Sequence, residues 1–332
     1  MSAALRDGSV LWLWGDTAAR HDDGSLAYFT IGTASWSEAG TPLVSRDTAG
    51  PDGAAPGPFA VPDSVRCPHT HQRAGTWPTA AVVQPVGPRD RVVAWLAVVC
   101  FGEGDRRATD MGMGVAEWWY DPADPPRGRS IVATWLNQRL FPAATFGSAA
   151  ATTPDGRIVT EWCERPEDPT DTDGFGPCAA ATTTFDRVAD PTSYVDADGR
   201  AVTASTVGAR HSVGTPFRLE GGAATPYPPG PFSIAFEPHL DAWVMVTSPW
   251  PGQVPFVAVR IAERPEGPWS GPLTVRLPGC SDRRGELHLG CYAANVQPRF
   301  SEPGRLGIGW YDTAVELFPI RGAFKVATIP YS

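Results

Sequence analysis

The stretch Val10-Leu11-Trp12-Leu13-Trp14-Gly15-Asp16-Thr17 decides the fold class. Its apolar and aromatic residues run as a strand into Gly-Asp-Thr, which sets a carboxylate where a buried strand emerges. Four further stretches repeat that theme. They are Arg91 to Val99, Gly156 to Trp162, Phe232 to Val246, and Val296 to Phe300 taken with Leu306 to Tyr311. Self-similarity at a spacing of roughly 40 to 70 residues, carried by strands rather than helices, marks a β-propeller. No long segment keeps apolar residues at helical spacing, and the prolines interrupt any that begins to. Each sheet standing alone exposes its edges, and closing the sheets into a ring covers them. The expectation is an all-β chain, a single five-bladed β-propeller domain over residues 1–332.

Composition bounds the function. The 35 glycines and 35 prolines alone suggest disorder, but 13 tryptophans and 14 phenylalanines spread along the chain supply a core, with the turn residues between them. A net charge of −9 offers no basic footprint for a phosphate backbone, so nucleic acid is not an expected partner. No apolar run approaches the length of a membrane span, and no basic and apolar leader stands at the N-terminus. A monomer acting on a glycan or a small neutral molecule fits best.

Six cysteines suggest the pairs Cys67–Cys100, Cys163–Cys178 and Cys280–Cys291, one of fifteen possible sets. Loops stapled in this way belong to oxidising compartments, so the chain reads as secreted, its signal peptide not part of this sequence. Buried thiols in a cytoplasmic protein are the alternative. Cys280, His288 and Cys291 could give three zinc ligands without a fourth, so no metal is expected. No phosphate loop or dinucleotide fingerprint is present and no cofactor is expected, although backbone carbonyls at a ring centre could hold a structural ion.

Several motifs in order call up a family. Gly15-Asp16-Thr17, Trp77-Pro78-Thr79, Asp190-Pro191-Thr192-Ser193-Tyr194, Ala262 to Ser270 with its Gly-Pro-Trp-Ser, and Cys291-Tyr292-Ala293-Ala294 before Gln297-Pro298 together resemble domain of unknown function 4185. The resemblance covers nearly the whole chain from Val10. It implies a five-bladed propeller related to arabinanases and sialidase-like enzymes, with an endo-D-arabinanase-like activity. The chain departs from the family pattern in two places. No strand is expected ahead of the Gly-Asp-Thr strand, and the segment Thr30 to Glu38 lacks the family's Asn and acidic run, leaving Glu38 as the acid the resemblance points to.

Glycoside cleavage needs two carboxyl groups, about 5 Å apart for retention and roughly 6.5 to 9.5 Å for inversion. Asp16 is the first candidate, as nucleophile or base. Its partner is sought among Glu38, Glu161, inside an apolar strand with Arg165 as its candidate ion-pair partner, and Glu237, at a strand end before Pro238. Trp36, Trp77 and Trp250 could stack on sugar faces or simply pack between blades. His239, beside Glu237, could bind a hydroxyl or tune an acid, with His69, His71 and His211 less favoured. Arg210, with Arg20 and Arg260, could orient hydroxyls. Besides the hydrolase, two readings stay open: a non-catalytic carbohydrate-binding propeller, and an intracellular cyclase or lyase on the same fold.

Overall fold

The computed structural model describes residues 1–20, 25–41, 46–47, 57–102, 108–142, 149–163, 178–202, 215–216, 232–248, 255–280, 291–312 and 323–331. Helical geometry among them is confined to three short 3-10 turns at Phe185–Arg187, Pro191–Ser193 and Pro298–Phe300. The remaining regular structure is strand, arranged in five antiparallel sheets in which each strand pairs with the next in sequence. The first sheet holds β1 (Ser2–Ala4), β2 (Val10–Arg20), β3 (Leu26–Ser37) and β4 (Arg46–Asp47). The second holds β5 (Gln72–Val86), β6 (Arg89–Gly102), β7 (Thr109–Tyr120) and β8 (Thr134–Phe141). The third holds β9 (Ala149–Thr152), β10 (Ile158–Cys163), β11 (Cys178–Thr183) and β12 (Thr215–Pro216). The fourth holds β13 (Phe232–Glu237), β14 (Ala242–Thr247), β15 (Phe256–Ala262) and β16 (Leu273–Arg276), and the fifth β17 (Cys291–Val296), β18 (Arg305–Asp312) and β19 (Ala323–Pro330).

The five sequence repeats fall on one structural position. Trp12, Trp95, Trp162, Trp243 and Trp310 all lie on the second strand of their sheets, and Trp12, Trp95, Trp243 and Trp310 are buried. Ahead of each second strand the chain bends through one left-handed residue: Gly8 at φ 84°, Gly87 at 55°, Gly156 at 80°, Asp241 at 50° and Gly304 at 77°. Four of the five are glycine because a side chain disfavours that geometry. The strand not expected before the Gly-Asp-Thr strand is present as β1, whose three residues pair with Val10, Leu11 and Trp12.

The strands gather into two compact units, β1–β8 with the turns at 185–193, and β9–β19. In the first unit, strand alternation turns Leu11, Leu13, Ala34 and Trp36 towards Val92, Ala94 and Leu96 of the second sheet, with Phe59 and Ala60 completing the core. Asp90 is fully buried at the start of β6. Arg6 answers it twice, donating from its backbone N–H to Oδ2 and from Nε to Oδ1, each at 2.7 Å. The same guanidinium donates to the carbonyls of Gly87 and Arg89, so one side chain fastens the loop after β1 to the β5–β6 turn. A disulfide joins Cys67 to Cys100.

In the second unit the first strands β9, β13 and β17 lie side by side. One core, including Val159, Ala180, Trp243 and Trp269, packs the third sheet on the fourth, and another, including Val246, Val259, Ile308 and Trp310, packs the fourth on the fifth. Ser233 and Ser248 accept the backbone N–H groups of Val296 and Ala294, satisfying donors that the irregular strand β17 leaves over. Cys280 and Cys291 form a disulfide, which removes both thiols from any zinc set. Cys178 is disulfide-bonded and pairs in register with Cys163, whose side chain lies outside the described residues. Lys325, the chain's single lysine, meets buried Asp312 at 2.5 Å. Among the described residues, no helix is long and apolar enough to cross a membrane.

Removing Arg6 strands a buried carboxylate, which typically costs about 3 to 5 kcal/mol. Arg6→Ala is therefore expected to lower the urea midpoint of the first unit sharply. The double variant Arg6→Met/Asp90→Leu, which leaves no charge behind, should recover most of that loss.

Candidate active site

Asp16 owes its position to a break in strand alternation. Through Trp14 the pleat is regular: Leu11 and Leu13 face the second sheet, while Trp12 and Trp14 stack on the other side at 5.8 Å and donate to Ser37 and Ser35. Continued regularly, the pattern would carry Asp16 to the Trp14 side. Opposite Gly15, however, Gly32 adopts φ 70°, and a Cβ there would lie 2.4 Å from the Thr76 carbonyl oxygen. Only glycine allows the two sheets to approach so closely. Beyond this pair Ile31 packs on Gly75 of β5, Thr17 turns back to share a 2.6 Å hydrogen bond with Thr33, and Asp16 faces β5. There Trp77 Nε1 donates to Asp16 Oδ1 at 2.9 Å.

Asp16 keeps a solvent-exposed edge, yet the protein packed around it makes its charge costly. Loss of hydration raises its pKa above the usual aspartate value, and the Trp77 hydrogen bond opposes that rise by favouring the ionised form. The result is a carboxylate open to a ligand, fixed in direction and less well solvated than a free surface acid. Part-buried Trp77 presents its indole at the same place.

The other predicted acids are not brought to this carboxylate. Ser37 pairs with Val10, so Glu38 lies opposite position 9, seven residues along the strand from Asp16, about 23 Å at strand rise. That exceeds the separation in either glycosidase geometry. Glu38 instead forms an ion pair with Arg127 at 3.0 Å beside a cavity of about 260 Å³ shared with Asp7 and Tyr120. Pairing Glu38 with Asp16 is corrected on this ground. Trp36 is corrected too: it is 3% exposed and packed in the core against the second sheet, reaching only the floor of that cavity and far along β3 from Asp16.

In the second unit Glu161 is fully buried, flanked in register by Ala149 and Ala180, and among the described residues neither carboxyl oxygen has a hydrogen-bond partner. Burial, seconded by the charge of Glu266, raises its pKa well above the ordinary glutamate value. Its suggested partner Arg165 lies outside the described residues. A protonated carboxyl is chemically suited to acid catalysis, but a side chain enclosed in this way does not meet a substrate. Glu237 is also fully buried and caps its hairpin, its Oε1 accepting the His239 N–H at 3.2 Å. The His239 residue itself is exposed at the turn. Arg260 donates to the Ser270 carbonyl at 2.7 Å on the third strand of its sheet. His69 and His71 stack on one another in an exposed turn. Trp250, Arg210 and His211 lie outside the described residues, as does the side chain of Arg20.

Sequence reasoning passed over the backbone of β17. Ala293 takes φ 54°, the register shifts between Tyr292 and Asn295, and Asn295 Nδ2 donates to the Ala293 carbonyl at 2.9 Å. Such bulges re-aim the side chains beside them. The motif Cys291-Tyr292-Ala293-Ala294 was the available signal, but an alanine gives no warning of left-handed geometry.

No protein-family model and no curated protein matches the chain. Among solved structures, it is similar to a candidate hydrolase from Bacteroides ovatus, with a TM-score of 0.59 at 15% identity, over 98% of this chain and 83% of that one. It is more distantly similar to a family 43 β-xylosidase/α-arabinofuranosidase from a compost metagenome, with a TM-score of 0.49 at 11% identity, over 100% and 92%. The first similarity carries the fold, and at that identity nothing of the chemistry.

Replacing Trp77 by Phe removes the hydrogen bond that favours ionised Asp16, so the Asp16 pKa is expected to rise further, as read by a carbon-13 titration of its carboxyl group. Glu161 makes the opposite kind of test. The unfolded chain titrates it at an ordinary value and the folded chain at a higher one, so between the two the folded state binds more protons and stability falls as pH rises. Glu161→Gln should flatten that fall and raise the Tm at pH 8 relative to wild type.

Proposed function

We propose that the chain is a five-bladed β-propeller of one domain that hydrolyses a glycan, arabinan being the substrate favoured by the resemblance of its motifs, with Asp16 as the carboxylate that meets the sugar. The observation that carries this reading is the placement of Asp16. A left-handed glycine turns it out of the strand's regular pleat, an indole donor fixes its orientation, and partial desolvation raises its pKa. Those are the properties of a carboxylate used for chemistry rather than for holding a turn. Ionised, Asp16 would attack the anomeric carbon or take a proton from the attacking water, while a second carboxyl protonates the leaving oxygen. Trp77 would both hold Asp16 and offer a sugar-facing ring edge. The disulfides Cys67–Cys100 and Cys280–Cys291 support a working place outside the cytoplasm.

A second reading, a propeller that binds glycan without cutting it, is favoured by one observation. Glu38, the acid the resemblance pairs with Asp16, stands at the far end of β2. In that case Asp16 accepts a hydrogen bond from a hydroxyl and does no more.

The two readings separate on release of reducing ends from arabinan and xylan. The hydrolase reading expects oligosaccharides from wild type and a loss of about 100-fold or more in Asp16→Asn. Binding without release by wild type establishes the second reading, and neither release nor binding overturns both.

A further inference from the structure

We propose that the cleft beside Trp119 is a separate sugar-binding site that takes a neutral residue of a polysaccharide. Trp119 lies near the end of β7 and is 42% exposed, whereas its neighbour Trp118 packs against the core. The core therefore does not need the Trp119 ring. The two indoles line a cavity of about 340 Å³ with Arg89, Asp121, Asp124 and Arg129. That volume is at the small end of those that hold small ligands and suits a single ring.

The charges select among ligands. Arg129 clasps Asp124 with both terminal nitrogens, at 2.8 and 3.1 Å, and Arg89 approaches Asp121 at 3.3 Å. Two cations answer two anions, so the cleft has no net charge to attract an ion, yet its rim is dense in donors and acceptors. Each carboxylate oxygen carries two lone pairs, and its present partners leave acceptor capacity for hydroxyl groups. An exposed indole with donors and acceptors around it matches a sugar ring, apolar on its C–H face and hydroxylated at its edge. An anionic ligand would meet the aspartates, and an apolar one would strand the rim.

The cleft is also preorganised. Its wall, residues 121–130, is fixed by Asp121 Oδ1 accepting from the Ala123 N–H at 2.9 Å and by Arg129 donating to the carbonyls of Asp124 and Pro125. Three prolines in that segment, Pro122, Pro125 and Pro126, stiffen it further. A ligand therefore finds the polar groups already placed and loses little to ordering them. The site is distinct from that of Asp16. Trp119 pairs with Arg91 and Trp77 with Ala97, six residues apart on β6, which is about 20 Å.

The test uses native gels cast with soluble arabinan, xylan, mixed-linkage glucan or an acidic polysaccharide, with Asp16→Asn as the parent so that no glycan is cut during the run. The parent is expected to be retarded by at least one neutral glycan. Adding Trp119→Ala should weaken the apparent affinity about tenfold, the usual cost of truncating a central aromatic contact. Adding Arg129→Met instead should weaken it as well. Because Trp119 is exposed, melting curves should coincide with the parent's; if Trp119→Ala does not fold, the arginine variant decides. Equal retardation of the variants and the parent, no retardation of the parent by any neutral glycan, or retardation by the acidic one alone would overturn the proposal. Reducing-end release by the single variant Trp119→Ala is read separately, so failure of this site and failure of the Asp16 reading remain distinguishable.

Discussion

A carboxylate sealed from water must be answered by a cation or surrender its charge, and Asp90 is answered by Arg6. Much of the first unit follows from that necessity. Strand β1 is three residues long, too short to hold its place by its own ladder, and the Arg6 backbone and side chain fix the chain immediately after it to the β5–β6 turn. With that corner set, β2 enters in the register that sends Leu11 and Leu13 into the core. The close approach of Gly32 to Thr76 then follows further along the same two sheets.

Two acids on second strands show how far environment separates residues of the same type. Asp16 is part-solvated and has a hydrogen-bond donor, so burial and pairing pull its pKa in opposite directions. Glu161 has burial and a nearby like charge, which act together. The first arrangement suits a group that works ionised. The second places a destabilising carboxyl inside a packed core, where an apolar side chain of similar size would rest more easily.

The fold was legible because it is written in strong signals: a tryptophan on each second strand, turn residues between strands, and no helical periodicity. The site was less so. Gly15-Asp16-Thr17 pointed to a residue, but its direction depends on Gly32 sixteen positions later, which looks like any glycine in a strand. Trp36 read as a platform because sequence does not reveal which face of β3 meets the second sheet. Glu38 read as a partner because the resemblance pointed to it as the remaining acid of that segment, whereas an antiparallel register places it opposite the beginning of β2. Trp119 drew no notice among thirteen tryptophans, since exposure is set by packing and not by the letter.

The five bends before the second strands add a lesson about repetition itself. Four are made with glycine and one with Asp241, yet all five turn the backbone through the same handedness. What recurs along this chain is therefore a torsion angle rather than an amino acid. A repeat stored in backbone geometry can drift in its letters until alignment no longer finds it, while every copy still folds the same way.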